Sequence, residues 1–263
     1  MSDTTQILLS ELRGHIRILT INRPERSNSI SPELGDALIE AFVEANADPE
    51  VRVVVLTAVG DRAFCGGADL KARAEEDRAG KPFQPLLSRV QRYLYEVVYE
   101  TFKPTIAALN GGVYGGSTDL ALACDFRIGV EATRMFMPAA RLGIVYYQSG
   151  LRRYVSRLGL NNAKRLFLTA APVEADELLA MGYLSEIVSA DQLMTRVDAL
   201  ASEVAANAPL ALAATKKALN DVAAGRLDPA WHDAARIACA KSEDHQEGLR
   251  AWAEKRKPVF QGR

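Results

Sequence analysis

Two short stretches hold the residues whose types and spacing could do chemistry. In GGVYGGSTDLALACD, residues 111–125, four glycines within six positions precede a short apolar run and Asp119. In AFCGGADL, residues 63–70, Gly66 and Gly67 precede Ala68, Asp69 and Leu70. Each stretch follows an apolar segment, VRVVVLT (51–57) or PTIAALN (104–110), so each reads as a turn from a strand towards a helix. A glycine pair at such a turn lets backbone approach a ligand closely, and a helix start leaves its first N–H groups without intrahelical acceptors. Two such turns could aim N–H groups at one oxygen and stabilise negative charge there. For either stretch alone, a tight turn with no ligand is the competing reading. Neither stretch matches a nucleotide fingerprint, because no Lys-Ser/Thr follows 111–116 and the G-x-G-x-x-G spacing is absent, which rejects the commonest phosphate reading.

The elements that must position these turns form a strand and helix alternation. HIRILTIN (15–22) sets Ile16, Ile18 and Thr20 on one face and Leu19 and Ile21 on the other, the pattern of a strand covered on both sides. Ser31-Pro32-Glu33 starts a helix with a capping hydroxyl and a proline at its first position, and Leu34, Leu38, Ile39 and Phe42 share one face. KARAEEDRAGKPF (71–83) is polar and without period, a loop or frayed helix beside the glycine turns and so a candidate lid. FRIGV (126–130) is the last clear strand. From Leu151 helical spacing dominates, and WHDAARIACAKSEDHQEGLRAWAEKRKPVF (231–260) reads as one long helix ending near Pro258. The whole is an α/β body, residues 1–200, with a helical C-terminal region, 201–263.

Composition narrows the function further. With 32 Lys and Arg against 33 Asp and Glu, the net charge of -1 gives no field for nucleic acid or an anionic membrane. Cys65, Cys124 and Cys239 lie far apart, and His15, His232 and His245 make no ligand spacing with them, so neither a metal site nor a disulfide framework is expected. The N-terminal MSDTTQILLSELRG lacks a basic start and a long apolar run, and the expectation is a cytoplasmic protein.

INRPERSNSIS (21–31), AFCGGADL (63–70), KPTIAALNGGVYGGSTDLALACDFRI (103–128), LGLNNAKRLFLTAAPVEADELLAMGYLSEIV (158–188) and KSEDHQEGLRAWAEKRKPVF (241–260) together resemble the enoyl-CoA hydratase/isomerase, or crotonase, superfamily, in the family's order and over nearly the whole chain. The resemblance implies a crotonase (ClpP-like) spiral of ββα units with a C-terminal helical trimerisation region. It also implies assembly as a homotrimer or dimer of trimers, and an acyl-CoA substrate that brings coenzyme A with it and needs no other cofactor. The thioester carbonyl would sit between the backbone N–H groups of Ala68 and Gly116. Arg26, Ala63, Cys65, Gly67, Asp69, Leu70 and Pro138 fall in or beside segments that contact coenzyme A, and Lys255 or Lys257 and Phe260 would reach its nucleotide end. A solvated helix end favoured by the macrodipole is the competing reading of the two lysines.

The chain departs from the family hydratases where they carry two glutamates. The first position holds Asp119, and the second, after Pro138, holds Ala139. Hydration needs a water held between two carboxyl groups, and alanine supplies none. Tyr146, in IVYYQSG, instead falls where the methylmalonyl-CoA decarboxylase branch has tyrosine, although that branch has glutamate at the position of Asp119 and histidine at that of Ala68. The resemblance therefore implies a decarboxylase, lyase or hydrolase-type step through a thioester enolate, with Asp119 and Tyr146 as catalytic side chains. An enoyl-CoA hydratase/isomerase of fatty-acid type, and an acyl-CoA-binding protein without catalysis whose pocket uses Met135-Phe136-Met137, stay as alternatives. A helix-start acid and a core aromatic are the plain readings of Asp119 and Tyr146.

Overall fold

A computed structural model describes residues 6–69, 78 and 89–263. Leu70 and, apart from position 78, the candidate lid over 71–83 lie outside the described residues. The larger sheet contains β1 (Leu8–Arg13), β2 (Ile16–Ile21), β3 (Val53–Ala58), β5 (Thr105–Leu109), β7 (Phe126–Val130) and β10 (Glu186–Val188), in the order β1-β2-β3-β5-β7-β10. β1 and β2 form an antiparallel hairpin, and from β2 onward all pairs are parallel. A smaller sheet contains β4 (Ala63–Cys65), β6 (Gly112–Tyr114), β8 (Arg134–Phe136) and β9 (Val173–Glu174) in that order.

The chain repeats one move. Each of β3, β5 and β7 in the larger sheet passes directly into β4, β6 or β8 in the smaller one, and helices follow: α1 (Pro32–Ala47) after β2, α2 (Arg89–Glu100) after β4, α3 (Ser117–Ala123) after β6 and α4 (Gln148–Thr169) after β8. This is the mixed α/β, ββα architecture that the sequence implies. Period-2 burial holds it together. Val53 and Val55 pack on one face of the larger sheet with Ile16, Ile18, Ile106 and Ala108, while Val54 and Leu56 pack on the other with Leu19, Ile21, Ala107 and Leu109. Ser31 Oγ accepts from Leu34 N at 3.3 Å and caps α1, as its position predicts.

Three differences from the sequence reading have local causes. Short strands β4, β6, β8 and β9 are only two or three residues long and too brief to show a period. The long C-terminal helix is two, α8 (Pro229–Lys241) and α9 (Glu243–Glu254), because Ser242 leaves helical geometry at φ -70°, ψ 155° and its hydroxyl caps α9 by accepting from His245 N. Residue 200 falls inside α6 (Leu193–Ala205), whose Leu193, Val197, Ala201 and Ala205 cover the larger sheet; α5 (Ala175–Ala180) precedes it and α7 (Pro209–Ala223) follows it. Beyond α6 burial thins: α8 contributes no buried residue, and Leu249 and Trp252 are exposed.

Candidate active site

Parallel pairing of β4 with β6, Ala63 opposite Gly112 and Cys65 opposite Val113, makes the two glycine turns leave neighbouring strands at the same end. Gly67 adopts φ +83°, and a Cβ there would lie 2.5 Å from Tyr114 O and 3.3 Å from Gly116 N. The backbones therefore approach as only glycine permits. Gly115, at φ +56°, turns the second strand into α3. Ser117 ties the turns together: its hydroxyl lies 2.7 Å from Cys65 O and 2.9 Å from Tyr114 O, and accepts from Tyr114 N at 3.0 Å. Among the described residues neither Ala68 N–H nor Gly116 N–H donates to a protein acceptor. Gly116 also stands at the N-terminus of α3, where helix dipoles favour negative charge.

These turns form one wall of a cavity of about 260 Å³, with Gly66, Ala68, Tyr114, Gly115 and Gly116 on its surface. Phe136, Met137, Pro138, Ala139, Leu142 and Ile144 make an apolar opposite side, and Tyr146 completes it. No residue with a carboxylate, imidazole, ammonium or guanidinium lines this cavity among the described residues. Ala139 sits in the wall, so the position where hydratases of the family carry glutamate is apolar surface. The Tyr146 hydroxyl is buried and, among the described residues, without a hydrogen-bond partner. Burial, followed by the nearby Asp119 charge, pushes its ionisation well above the ordinary phenol range, so it is present as O–H.

Asp119 lies behind this wall. It is fully buried, and Arg153 of α4 grips it, with Nε donating to Oδ1 at 2.8 Å and Nη2 to Oδ2 at 3.3 Å. The Tyr147 hydroxyl donates to Oδ2 as well. Burial opposes the Arg153 charge, but the Asp119 carboxylate outweighs it and holds the guanidinium above its ordinary range. Glu96 of α2 reaches Arg153 Nη2 at 3.2 Å from the other side.

The remaining predicted residues divide. Pro138 is in the cavity wall, with Gly67 just behind it. Ala63 and Cys65 are core residues, and burial pushes the Cys65 thiol up to about 11. The loop 23–30 packs onto this turn: Gly66 N donates to Ser27 O and Ile30 N to Gly67 O, while Asn28 Nδ2 donates to Val59 O and Ala63 O. Arg26 is exposed on that loop. Asp69 pairs with Arg23 at 3.3 Å. Lys255 and Lys257 are exposed, and Phe260 lines a second cavity with Leu210, Cys239 and Gly248. The single chain thus does not bring these three to the first cavity. Sequence reasoning missed Ser117, Tyr147 and Arg153; Gly150 was a usable signal, since a Cβ there would lie 2.5 Å from Tyr146 Cε1 and 2.9 Å from Tyr147 Cζ.

Fold and site define a crotonase-type α/β protein whose cavity is walled on one side by two glycine turns. The chain matches the family described as Enoyl-CoA hydratase/isomerase over residues 11–263. It is 35% identical to carnitinyl-CoA dehydratase of Salmonella paratyphi B, over 95% of this chain and 96% of that protein, and 32% identical to short-chain-enoyl-CoA hydratase of Clostridium acetobutylicum, over 95% of each. The crystal structure of enoyl-CoA hydratase from Bacillus anthracis aligns with a TM-score of 0.88 at 31% identity, covering 98% of this chain and 100% of that one. The chain belongs to the enoyl-CoA hydratase/isomerase family and is an acyl-CoA enzyme of the crotonase superfamily. These relatives carry hydratase and dehydratase names, and none of the three is called a decarboxylase. Among the described residues no helix is long and apolar enough to cross a membrane.

Proposed function

We propose that this enzyme forms a thioester enolate by decarboxylating a malonyl-type acyl-CoA, with the enolate oxygen held between Ala68 N–H and Gly116 N–H. The observation that carries the reading is a cavity that, among the described residues, has two unengaged amides and no carboxylate in its wall. In the step, the bond between the α-carbon and the carboxylate breaks, its electron pair enters the carbonyl π-system, and carbon dioxide leaves. A proton from water then adds to the α-carbon and gives the saturated acyl-CoA.

Charge placement favours that direction. In the ground state the carboxylate would face a wall that is apolar apart from Tyr114 and Tyr146; in the transition state the charge moves to the thioester oxygen, where the two amides would meet it. Stabilisation concentrated on the developing charge lowers the barrier, and one such donor is typically worth about 10² to 10³ in rate. Tyr146, whose ring lines the cavity, is the side chain that would orient the departing carboxylate. The reaction needs no cofactor apart from the coenzyme A that the substrate carries, and Arg26, Lys255 and Lys257 supply cations for its phosphates. Exposed Leu249 and Trp252 support assembly as a homotrimer or dimer of trimers, with the tail covering a neighbour's site.

Hydration is the second reading, favoured by the names of the relatives. It requires a water between two acid–base groups, which the described cavity wall does not contain. Incubation with methylmalonyl-CoA and with crotonyl-CoA, following carbon dioxide release and enoyl absorbance, separates them. Release without loss of enoyl absorbance supports decarboxylation, and brisk loss of that absorbance overturns it.

A further inference from the structure

We infer that Asp119 and Arg153 form a closed ion pair that positions the Tyr146–Tyr147 side of the cavity and takes no part in proton transfer, an inference that rests on the enolate reading above. Asp119 occupies the position at which family hydratases hold an acid, yet it is fully buried and absent from the cavity wall. Both carboxylate oxygens are engaged, Oδ1 by Arg153 Nε and Oδ2 by Arg153 Nη2 and the Tyr147 hydroxyl. A general base needs a lone pair within hydrogen-bond reach of the proton it takes. Here the Arg153 fork and a phenol take three of the carboxylate's roughly four acceptor positions, and the side chain turns towards α4 rather than into the cavity wall.

The pair acts through the rings. Tyr147 is pinned by its hydroxyl to Asp119, and its ring centroid lies 4.6 Å from that of Tyr146. Gly150, in the first turn of α4, leaves room for both rings where any Cβ would collide. Tyr146 then presents its ring to the cavity with its hydroxyl unpaired. Arg153 is locked in turn by Glu96 at 3.2 Å and by the Tyr99 ring, 4.8 Å from its guanidinium carbon. A chain of contacts therefore runs from α2 through Arg153, Asp119 and Tyr147 to Tyr146, whose ring lines the cavity.

A buried ion pair has a distinctive mutational signature: removing one partner leaves an uncompensated charge, whereas replacing both with neutral groups of similar shape is often tolerated. Asp119→Asn, Arg153→Met and the double variant are compared with wild type on the thioester that wild type turns over fastest, with kcat and KM measured separately and folding checked by thermal unfolding. Asparagine keeps one oxygen for Tyr147 and Arg153 Nη2, sets its amide nitrogen against Arg153 Nε and leaves the Arg153 charge to Glu96, so Asp119→Asn is expected to lower thermal stability and to lower kcat by about tenfold with KM within about threefold, whereas loss of a true general acid or base costs about 10² to 10⁴. Arg153→Met is expected to lose about 10²-fold or more in kcat, and the double variant to recover at least tenfold of that loss. Rescue by the second substitution is the outcome that a proton-transferring Asp119 cannot give. A folded Asp119→Asn enzyme that has lost more than about 10²-fold in kcat overturns the inference. So does a double variant no better than Arg153→Met; if Arg153→Met alone fails to fold, a double variant that folds and turns over supports the pair, and Asp119→Asn decides in any case. Absence of turnover by wild type on every thioester tried refutes the enolate reading instead, and is distinguished from failure of the pair by the wild-type arm.

Discussion

Replacing Gly67 by alanine tests the amide pair without touching any functional side chain. Gly67 holds φ +83°, and its new Cβ would lie 2.5 Å from Tyr114 O. Carbon–oxygen contacts settle near 3.3 Å or more, so the two turns must separate by about 0.8 Å. Because Ala68 N follows Gly67 directly and Gly116 N lies 3.3 Å from that Cβ, the displacement falls on the two amides meant to converge on one oxygen. A misplacement of about 1 Å can cost on the order of 10² in rate, so kcat is expected to fall roughly 30- to 100-fold. The left-handed backbone adds about 1–2 kcal/mol of destabilisation, which lowers Tm by a few degrees. Gly182→Ala is the matched control, since Gly182 has φ +75° but nothing within 4 Å of its Cβ. It should lose similar stability and keep its turnover. Steady-state kinetics and thermal unfolding on both variants decide the matter. A folded Gly67→Ala enzyme with kcat within threefold of wild type would refute the reasoning that these turns form the charge-stabilising site.

Four further outcomes follow from the same geometry. Tyr146→Phe removes a buried hydroxyl that has no partner among the described residues, so thermal stability should hold or rise slightly while kcat falls by about tenfold or more, read from kinetics and melting of the same sample. Ser117→Ala breaks the bridge between Cys65 O and Tyr114 N, and should cost about 1–3 kcal/mol in denaturant unfolding with a parallel loss of turnover. Deleting residues 250–263 removes Trp252, Lys255, Lys257 and Phe260; sedimentation should show smaller assemblies and titration weaker coenzyme A binding, whereas Asp119→Ala should lower turnover and leave assembly intact. Glu247, held down to about 2 by Arg256 and the Val259 N–H, keeps the tail in place at neutral pH; the depressed value means that this contact is full above the ordinary 4.5 and is lost as pH falls towards 2, which amide exchange at Val259 can follow.

Legibility in the sequence follows how local each cause is. β2 and β3 announce themselves by β-branched residues buried on both faces, β5 and β7 by short apolar runs, and α1 by its Ser-Pro start, because each signal lies within a few residues of its effect. The glycine turns are visible for the same reason, but their convergence depends on the β4–β6 pairing, which joins residues some fifty positions apart. Asp119 could be singled out from its place after the second glycine, yet its partner Arg153 is 34 residues away, and Tyr147 is 28. Nothing near Asp119 in the chain says which way its side chain turns. Ser242 shows the same limit on a smaller scale: within a strongly helical text, one hydroxyl that caps the next segment splits the run into α8 and α9.

The most direct test of the central claim is to incubate the enzyme with methylmalonyl-CoA in deuterium oxide and, in parallel, with crotonyl-CoA, and to analyse both products by mass spectrometry. Decarboxylation through an enolate at Ala68 and Gly116 predicts one carbon dioxide released per propionyl-CoA formed, one carbon-bound deuterium retained at its α-carbon, and crotonyl-CoA left unhydrated. Rapid conversion of crotonyl-CoA to the hydroxyacyl-CoA, with methylmalonyl-CoA untouched, would contradict it.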